Sequence, residues 1–355
     1  MSEMKEMIVE VVEKIFKKHF TKESVDLVDD GNWAENVWDI LEEKDLLRIA
    51  SSEHAGGAGG DLDDLLTLYS LIGKYAAPIP FVETTLANYF LESAGLSISN
   101  KKVTYSVKAQ QVTRNDDAIN GILYEIPWAR HVDELVIMVE GQLVHISLSE
   151  AFIEPHSNLA GEPRDKVTLK DAKVIQVSSP LSLQQSAQFI VLDTAAKNAI
   201  ISGALTKAND LTVKYTKERE QFGRPIHRFQ LVQQHLAILA GEVVITNAAV
   251  ENMITALLSH DGFNEVGYTR IRIDEAAKTV AASAHQVHAA IGVTHEHSLH
   301  QYTRRLWAWR DEGYTVNYWK KEIAKKLLQT ETTDIWTYLT NPQESIKPIK
   351  EAQNG

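Results

Sequence analysis

The segment from Tyr215 to Gln230 has the residue types of a phosphate-binding turn. Within it, Gly223-Arg224-Pro225 is predicted to end one helix and to begin a turn before the next. The turn would fix Arg219 as a cation whose guanidinium can donate two parallel hydrogen bonds to a pyrophosphate. Four neighbouring side chains would contact the rest of such a ligand: Gln221, Phe222, Phe229 and Gln230. The alternative is that these residues only cap and pack a helix–helix turn.

A cluster of histidines follows later in the chain. Five of the 13 histidines fall within one short stretch: His285, His288, His295, His297 and His300. Histidines three residues apart on a helix can share a metal ion. However, neither long helix of this region carries a Glu-x-x-His pair, and loop histidines without supporting carboxylates are weak ligands. We therefore expect no metal, and we interpret the cluster as the polar rim of a ligand site.

The overall composition predicts a soluble protein that binds neither nucleic acid nor membrane. The chain has 36 Lys+Arg against 48 Asp+Glu, a net charge of -12, which repels polyanions and anionic lipid. It has no cysteine, which excludes disulfides and thiolate chemistry and indicates a cytoplasmic location. Its first residues interleave Lys and Glu with apolar residues, unlike a leader or a membrane span. A phosphorylated ligand therefore needs a local cationic site.

Hydrophobic periodicity divides the chain into three structured parts and a tail. The predicted units are an N-terminal helical domain (1–97), a β domain (98–179), a helical bundle (180–340) and a tail (341–355). In the β domain, KVTLKDAKVIQV is predicted to form two short strands joined about Asp171-Ala172. In the first domain, the glycine-rich stretch 54–60 is predicted to connect two helices, the second capped by an Asp. Two bundle helices carry apolar stripes, at 232, 236, 239, 243, 250, 253 and 257 and at 273, 277, 280, 284, 287 and 291. A third has a small-residue face: Ala195, Ala196, Ala199, Gly203 and Ala204.

Two segments of this chain resemble the acyl-CoA dehydrogenase family. The run from Arg219 to Gly223 resembles the family's motif between two long bundle helices. The run from Ala284 to His297 resembles a later segment, in which a Gln, two small residues and a Gly-x-x-x-Glu pass under the flavin. The order of helices, strands and bundle also matches. The resemblance implies FAD bound by the Arg219 turn together with Gln286, Ala289 and Ala290.

The resemblance is incomplete at two places. The family usually carries a glycine where this chain has Ala289-Ala290. The middle-domain segment that contacts flavin and acyl-CoA is not recognisable either, since the stretch from Val103 to Gly121 is short and polar. Only Pro127-Trp128-Ala129-Arg130 resembles a region near the flavin ring. In this respect the chain is similar to the small subunits of two-component acyl-CoA dehydrogenases.

The resemblance implies a mostly helical α+β fold with an N-terminal helical domain, a central antiparallel β domain and a C-terminal four-helix bundle. It further implies oligomers in which FAD bridges two subunits, with Arg219 and residues 286–290 coming from different ones. The implied reaction is the α,β-dehydrogenation of an acyl-CoA in fatty acid metabolism. In it a base takes the α-proton, the flavin takes a hydride, and an electron-transfer flavoprotein takes the electrons. The partner subunit is either a second copy or a longer paralogue.

Two other functions remain open from the sequence. One is a noncatalytic subunit that completes the FAD site of a partner chain. The other is a flavin oxidase on the same scaffold, which would differ by rapid reaction of the reduced flavin with oxygen.

The family's catalytic carboxylate comes from one of two places. Counting forward from Gly292, the first falls on Gly313, which cannot be a base. Counting back from Tyr215, the second falls on Asp193, after the apolar run 189–192. Burial among such residues would make the carboxylate a stronger base. Asp193 is thus the predicted catalytic residue, and the alternative is an Asp in a first helical turn satisfied by backbone N–H groups.

Overall fold

The computed structural model of the protein describes residues 3–108, 111–115, 117–328 and 336. The predicted tail and part of Val103–Gly121 lie outside these residues. The described chain begins with five helices: α1 (Glu3–His19), α2 (Lys22–Asp29), α3 (Glu35–Glu43), α4 (Leu62–Lys74) and α5 (Phe81–Ser93). The glycine-rich stretch connects α3 to α4 as predicted. Asp61 caps α4 in a reciprocal capping box with Asp64, which satisfies free N–H groups of the first turn.

The middle of the chain is one mixed sheet. Its strands are β1 (Val103–Ser106), β2 (Gln111–Asn115), β3 (Ala118–Pro127), β4 (Glu134–Val139), β5 (Gln142–Ser147), β6 (Phe152–Glu154) and β7 (Arg164–Val177). The strand order is β1-β4-β5-β7-β3-β2, with β6 also pairing with β7. The pairs are antiparallel as predicted except β1 with β4, which is parallel. A parallel pair needs a long crossover, and the segment between these two strands, which includes β2 and β3, supplies it.

The prediction of two short strands about Asp171-Ala172 was wrong, because β7 is one strand of 14 residues. Asp171 has a φ of 48°, a left-handed conformation that Asp tolerates better than most residues. Its backbone N–H and one carboxylate oxygen are held by the amide side chain of Asn120 on β3. The strand therefore bends at Asp171 without ending, and its last residues pair with β5.

The C-terminal part is a helical bundle with a small hairpin. Its elements are α6 (Leu183–Glu218), β8 (Glu220–Gln221), β9 (Arg224–Pro225), α7 (Gln230–Ser259), α8 (Phe263–His288), α9 (Leu299–Asp311) and α10 (Val316–Leu328). Both predicted apolar stripes face the interior. On α7 the stripe is buried from Leu239 to Leu257, and on α8 from Ile273 to Ala284. The small-residue face predicted on α6 is buried throughout.

The small residues of α6 allow the N-terminal helices to pack directly against the bundle. A Cβ built on Gly203 would lie 1.8 Å from the carbonyl oxygen of Ser70 on α4. A Cβ on Gly73 would lie 1.7 Å from the carbonyl oxygen of Ile200. The α4 and α6 backbones therefore touch where these glycines meet, and one hydrophobic core runs through both helical parts. The sheet has a second core of its own.

Two helices, α6 and α7, are long and apolar enough to cross a membrane by length and composition alone. The apolar stretch of α6 is 83% buried inside the protein, whereas that of α7 is only 33% buried. As a result α7 exposes several large apolar side chains on the side away from its buried stripe: Leu231, Ile238, Val244, Ile245 and Leu258. Residues of the described chain therefore leave this side of the helix uncovered.

Candidate active site

A cavity of about 570 Å³ lies where the N-terminal helices, the sheet and the bundle meet. One part of its wall is apolar and comes from Ile72, Ala77, Ile79, Val82 and Ile200. Another part carries charge, from Glu83, Glu162, Arg164, Asp193, Lys197 and Glu312. Pro127 and Trp128, which resemble a region near the flavin ring in the family, also line it. The cavity thus combines room for an acyl group with acid–base residues.

Asp193 is a buried carboxylate with one free oxygen in this cavity. The residue is 4% exposed, and its Oδ1 accepts a hydrogen bond of 2.8 Å from the Tyr105 hydroxyl. Its Oδ2 has no partner among the described residues. The alternative of a first-turn Asp satisfied by backbone N–H groups is wrong, because α6 begins ten residues earlier, at Leu183. Asp193 lies inside the helix, where the backbone N–H groups are already bonded.

The two places where the family carries its base meet in space. A Cβ built on Gly313 would lie 3.0 Å from Oδ2 of Asp193. Gly313 has a φ of 66°, which disfavours other residues there. Because Gly313 has no side chain, the free oxygen of Asp193 faces the space that a carboxylate from the other place would occupy.

Glu312, next to Gly313, is held as a permanent anion. Arg164 donates hydrogen bonds of 3.0 and 2.8 Å to its two oxygens, and Asn158 donates one of 2.7 Å. The Lys197 ammonium lies 3.6 Å away. Burial alone would raise the pKa of Glu312, but Arg164 and Lys197 lower it to about 2. Such a carboxylate is too weak a base to take an α-proton, so Glu312 organises the wall of the cavity.

Sequence reasoning missed Glu83, which lies in the first turn of α5 and lines the same cavity. Burial raises the pKa of Glu83 to about 7, although Arg164 and Lys197 oppose the shift. The one signal in the sequence is a lone acid in the apolar run Ile79-Pro-Phe-Val-Glu83. That pattern also fits an ordinary helix N-terminus, so only the packing of α5 against the sheet and α6 shows what the residue faces.

The Arg219 turn is a hairpin on the protein surface. The prediction that Gly223-Arg224-Pro225 ends the helix was wrong, because α6 stops at Glu218 and a two-residue loop of Phe222 and Gly223 joins β8 to β9. Both loop residues have positive φ, as this tight hairpin requires. Phe222 is 93% exposed, and the guanidinium of Arg224 covers the ring of Phe229 at 4.3 Å.

The predicted cofactor residues are open to solvent. Arg219, Gln221, Phe222, Gln230, Gln286, Ala289 and Ala290 are exposed, and Phe229 is partly exposed. Within the described residues the Arg219 side chain has no ion-pair partner, so its charge is available to a ligand. An exposed aromatic, an unpaired guanidinium and several amides fit one side of a dinucleotide site whose other side is a second chain.

The chain departs from the family at Ala289, and the structure shows what the departure does to the backbone. Ala289 ends α8 with φ 52° and ψ -139°, a region that residues other than glycine rarely adopt. The turn thus keeps a backbone path suited to glycine while carrying a methyl group. This methyl is exposed where the backbone would approach a cofactor.

The expectation that Arg219 and residues 286–290 come from different subunits is not what this chain shows. Tyr215, one turn before Arg219, stacks on His288 with ring centroids 4.3 Å apart. Both segments therefore lie at the same end of one bundle. Asp193 precedes Arg219 by 26 residues on α6, or about 39 Å of helix. The cofactor segments and the Asp193 cavity of one chain therefore lie far apart.

The histidines lie together, since the His288 ring packs against His297 at 4.6 Å and the His295 ring against His300 at 4.8 Å. His288 is buried against Tyr215, and burial lowers its pKa to about 4, so it is neutral. Among the described residues, one group could offer three ligand atoms within 4.8 Å of one another, namely Asp26, His295 and His300. The Lys22 ammonium bonds the same Asp26 carboxylate at 2.7 Å and opposes a dication there. We assign no metal site to this group.

Comparison with known proteins agrees with this architecture. One chain of the solved ChsE4-ChsE5 complex from Mycobacterium tuberculosis superposes with a TM-score of 0.84 at 18% identity, covering 94% of this chain and 99% of that one. Residues 195–310 match the family model of the acyl-CoA dehydrogenase C-terminal domain. The acyl-CoA dehydrogenase IpdE2 of Mycolicibacterium smegmatis is 29% identical over 312 residues, 86% of this chain and 93% of its own length. The acyl-CoA dehydrogenase FadE27 of M. tuberculosis is 31% identical over 304 residues, 75% and 81% of the two chains.

The helices, sheet and bundle therefore form the acyl-CoA dehydrogenase fold. The chain belongs to the acyl-CoA dehydrogenase family.

Proposed function

We propose that this chain catalyses the FAD-dependent α,β-dehydrogenation of an acyl-CoA, with Asp193 as the base. The observation that carries the proposal is the unpartnered Oδ2 of Asp193, which faces a cavity of about 570 Å³ beside Gly313. Bound FAD supplies the acceptor for the β-hydride. Asp193 accepts the α-proton on Oδ2, while the Tyr105 hydroxyl holds Oδ1 and fixes the direction of the carboxylate.

The site is completed by a second chain. Arg219 and its neighbours would hold the pyrophosphate of a cofactor whose ring lies against Trp128 and Asp193 of the other chain, because about 39 Å of α6 separates these groups within one chain. The uncovered apolar face of α7 supports an interface through the bundle. The electrons would leave to an electron-transfer flavoprotein, and the absence of cysteine fits our proposal of a cytoplasmic location.

A second function is a noncatalytic subunit that completes the FAD site of a longer paralogue. Gly313 at one family base position and the strained Ala289 near the cofactor segment favour it. A solved relative of this fold is itself a complex of two different chains. The two functions differ in whether the reaction takes place in the cavity of this chain or in that of the paralogue. The effect of an Asp193 substitution on flavin reduction therefore separates them.

We expect Arg219→Ala to lower FAD affinity at least ~10-fold. A charge-assisted contact with phosphate is worth ~1.5–3 kcal/mol, and 1.4 kcal/mol corresponds to one decade in the dissociation constant. The measurement is equilibrium titration of the apoprotein with FAD. Arg228→Ala is a matched control, since this exposed cation lies in the same turn outside the predicted set. Equal affinity of the Arg219 variant and the parent would make Arg219 a packing residue.

We expect the flavin-loaded protein to be an oligomer through α7, with a mass in light scattering of at least twice that of the chain. Charges placed on the α7 face by Val244→Asp with Ile245→Asp should dissociate it and release FAD together, because each chain supplies half of the site. Leu27→Asp, at an equally exposed apolar residue of α2, should leave assembly intact. A monomer with one FAD per chain would contradict the shared site. Assembly only after co-expression with a longer paralogue would favour the second function.

A further inference from the structure

Two polar groups in the cavity have no side-chain hydrogen-bond partner within the described chain. The Lys197 ammonium is 3.6 Å from Glu312, beyond hydrogen-bond distance, and its side chain is 15% exposed. The Glu83 carboxyl interacts with its own backbone N–H but with no side-chain hydrogen-bond partner among these residues, although it lines the cavity and is otherwise packed into the protein. By contrast, the Arg164 guanidinium already donates four hydrogen bonds, to Glu312, Glu162 and the carbonyl of Pro163. Among the described residues, the Lys197 ammonium and the Glu83 carboxyl therefore keep hydrogen-bonding capacity that no side chain uses.

A hydrocarbon chain would be a poor occupant beside these two groups. Filling the cavity with it would expel the water that solvates Lys197 and Glu83 and would give them no replacement. An acyl group that carries an oxygen atom at this place would accept a hydrogen bond from Lys197. A carboxylic acid at Glu83 could donate a second one to the same oxygen. The remaining wall, from Ile79, Val82 and Ile200, is apolar and fits the carbon skeleton around such an oxygen.

The charge of the wall decides which kind of oxygen fits. Several titratable groups surround Glu83 from the neighbouring elements: Tyr105, Glu162, Arg164, Asp193, Lys197 and Glu312. The carboxyl groups outnumber the cations, so a further carboxylate would be repelled. A neutral keto or hydroxyl oxygen avoids this repulsion and still accepts hydrogen bonds. Burial raises the pKa of Glu83 to about 7, which keeps a donating proton on most of it below neutral pH.

We propose that Lys197 and Glu83 form a subsite for a neutral oxygen of the acyl group, so that the substrates are keto- or hydroxyacyl-CoAs. The inference rests on the proposed function for the location of the thioester. Lys197 follows Asp193 by four residues, about one helical turn or ~6 Å along α6. The oxygen that binds at this subsite would therefore be attached a few carbons beyond the α- and β-carbons that react.

The test compares an unsubstituted eight-carbon acyl-CoA with analogues that carry a keto group on the fifth, sixth or seventh carbon or a terminal carboxylate. Binding to the flavin-loaded protein is measured by calorimetry, and flavin reduction is followed separately. We expect at least one keto analogue to bind ~10-fold or more tightly than the unsubstituted chain, and the carboxylate analogue to bind more weakly than the keto one. Calorimetry does not depend on turnover. Preferential binding without flavin reduction would therefore overturn the proposed function and leave the subsite standing.

Substitutions test whether Lys197 and Glu83 cause the preference for keto analogues over the unsubstituted chain. Lys197→Met and Glu83→Leu should each reduce it to below ~3-fold, whereas Glu83→Gln keeps an N–H donor and should retain it. The parent should lose part of its preference above pH 7 as Glu83 loses its proton, and the Gln variant should not. Lys166→Met is the matched control, because Lys166 also lines the cavity but is paired with Glu154 at 3.2 Å. Equal binding of all analogues by the parent, or an unchanged preference in the Lys197 and Glu83→Leu variants, would overturn the subsite.

Discussion

Asp193→Asn is expected to slow the reduction of bound flavin by an acyl-CoA by ~10²–10⁴-fold, the usual contribution of a positioned general base. Asparagine has nearly the same shape as aspartate and can still accept the Tyr105 hydrogen bond through its carbonyl oxygen. The group that it places at Oδ2 is an amide, which cannot take a proton. The loss should therefore appear in the rate of bleaching under anaerobic conditions, at matched FAD content and with unchanged binding of the acyl-CoA.

Two comparisons make this result specific. Asp311→Asn changes an exposed carboxylate close to Gly313 in sequence and should bleach at the parental rate. Tyr105→Phe removes only the hydroxyl that orients Asp193 and should cost less than Asp193→Asn. Bleaching of the Asn variant at the parental rate would eliminate Asp193 as the base. If no acyl-CoA in the panel bleaches the parent, the noncatalytic subunit becomes the better function.

The parts of the fold that follow from local pattern could be predicted from the sequence. The stripes of α7 and α8 repeat over many turns, and such a repeat leaves only one face for the core. The small residues of α6 likewise required a close neighbour, although the sequence could not show that the neighbour is Gly73 of α4. The strand β7 was misread because a turn signal at Asp171 is also compatible with a bend when a distant partner, Asn120, holds the backbone.

In the active site, too, only the features that depend on local spacing could be predicted from the sequence. Asp193 was reached by counting along one helix, where spacing is fixed. The position of Gly313 beside Oδ2 of Asp193 was not predictable, because it depends on the path that the chain takes after α9. Glu83 was missed for the same reason: a glutamate in a first helical turn is ordinary until the sheet and α6 close over it. The assignment of Arg219 and Ala289 to different subunits failed because the stacking of Tyr215 on His288 joins two segments far apart in sequence.

Arg305→Met is expected to lower the free energy of unfolding by ~3–5 kcal/mol, because it leaves buried carboxylates without their cation. Arg305 is fully buried on α9 and donates hydrogen bonds of 2.7 and 3.1 Å to the two oxygens of Asp29, the last residue of α2. Its Nε lies 3.2 Å from Glu162, which also accepts a hydrogen bond from Trp309. Through Glu162 and Arg164 this cluster continues to the wall of the cavity. One side chain thus ties the N-terminal helices, the sheet and the bundle together, and denaturant titration measures its contribution.

The pH dependence of the loss separates a missing cation from a missing side-chain volume. Burial raises the pKa of Asp29 in the folded protein even with Arg305 beside it, and removal of Arg305 would raise it further. A carboxyl whose folded pKa lies above the unfolded value binds its proton more tightly in the folded state, so the stability of the variant falls as pH rises through that range. The difference in free energy of unfolding between the parent and Arg305→Met should therefore be larger at pH 7 than at pH 5.

Arg304→Met is the matched control, since Arg304 is partly exposed and its hydrogen bond goes to the carbonyl of Leu159. A loss that is equal at both pH values would mean that Arg305 acts through packing, and a loss no larger than that of Arg304→Met would show that the buried cluster does not hold the three parts together.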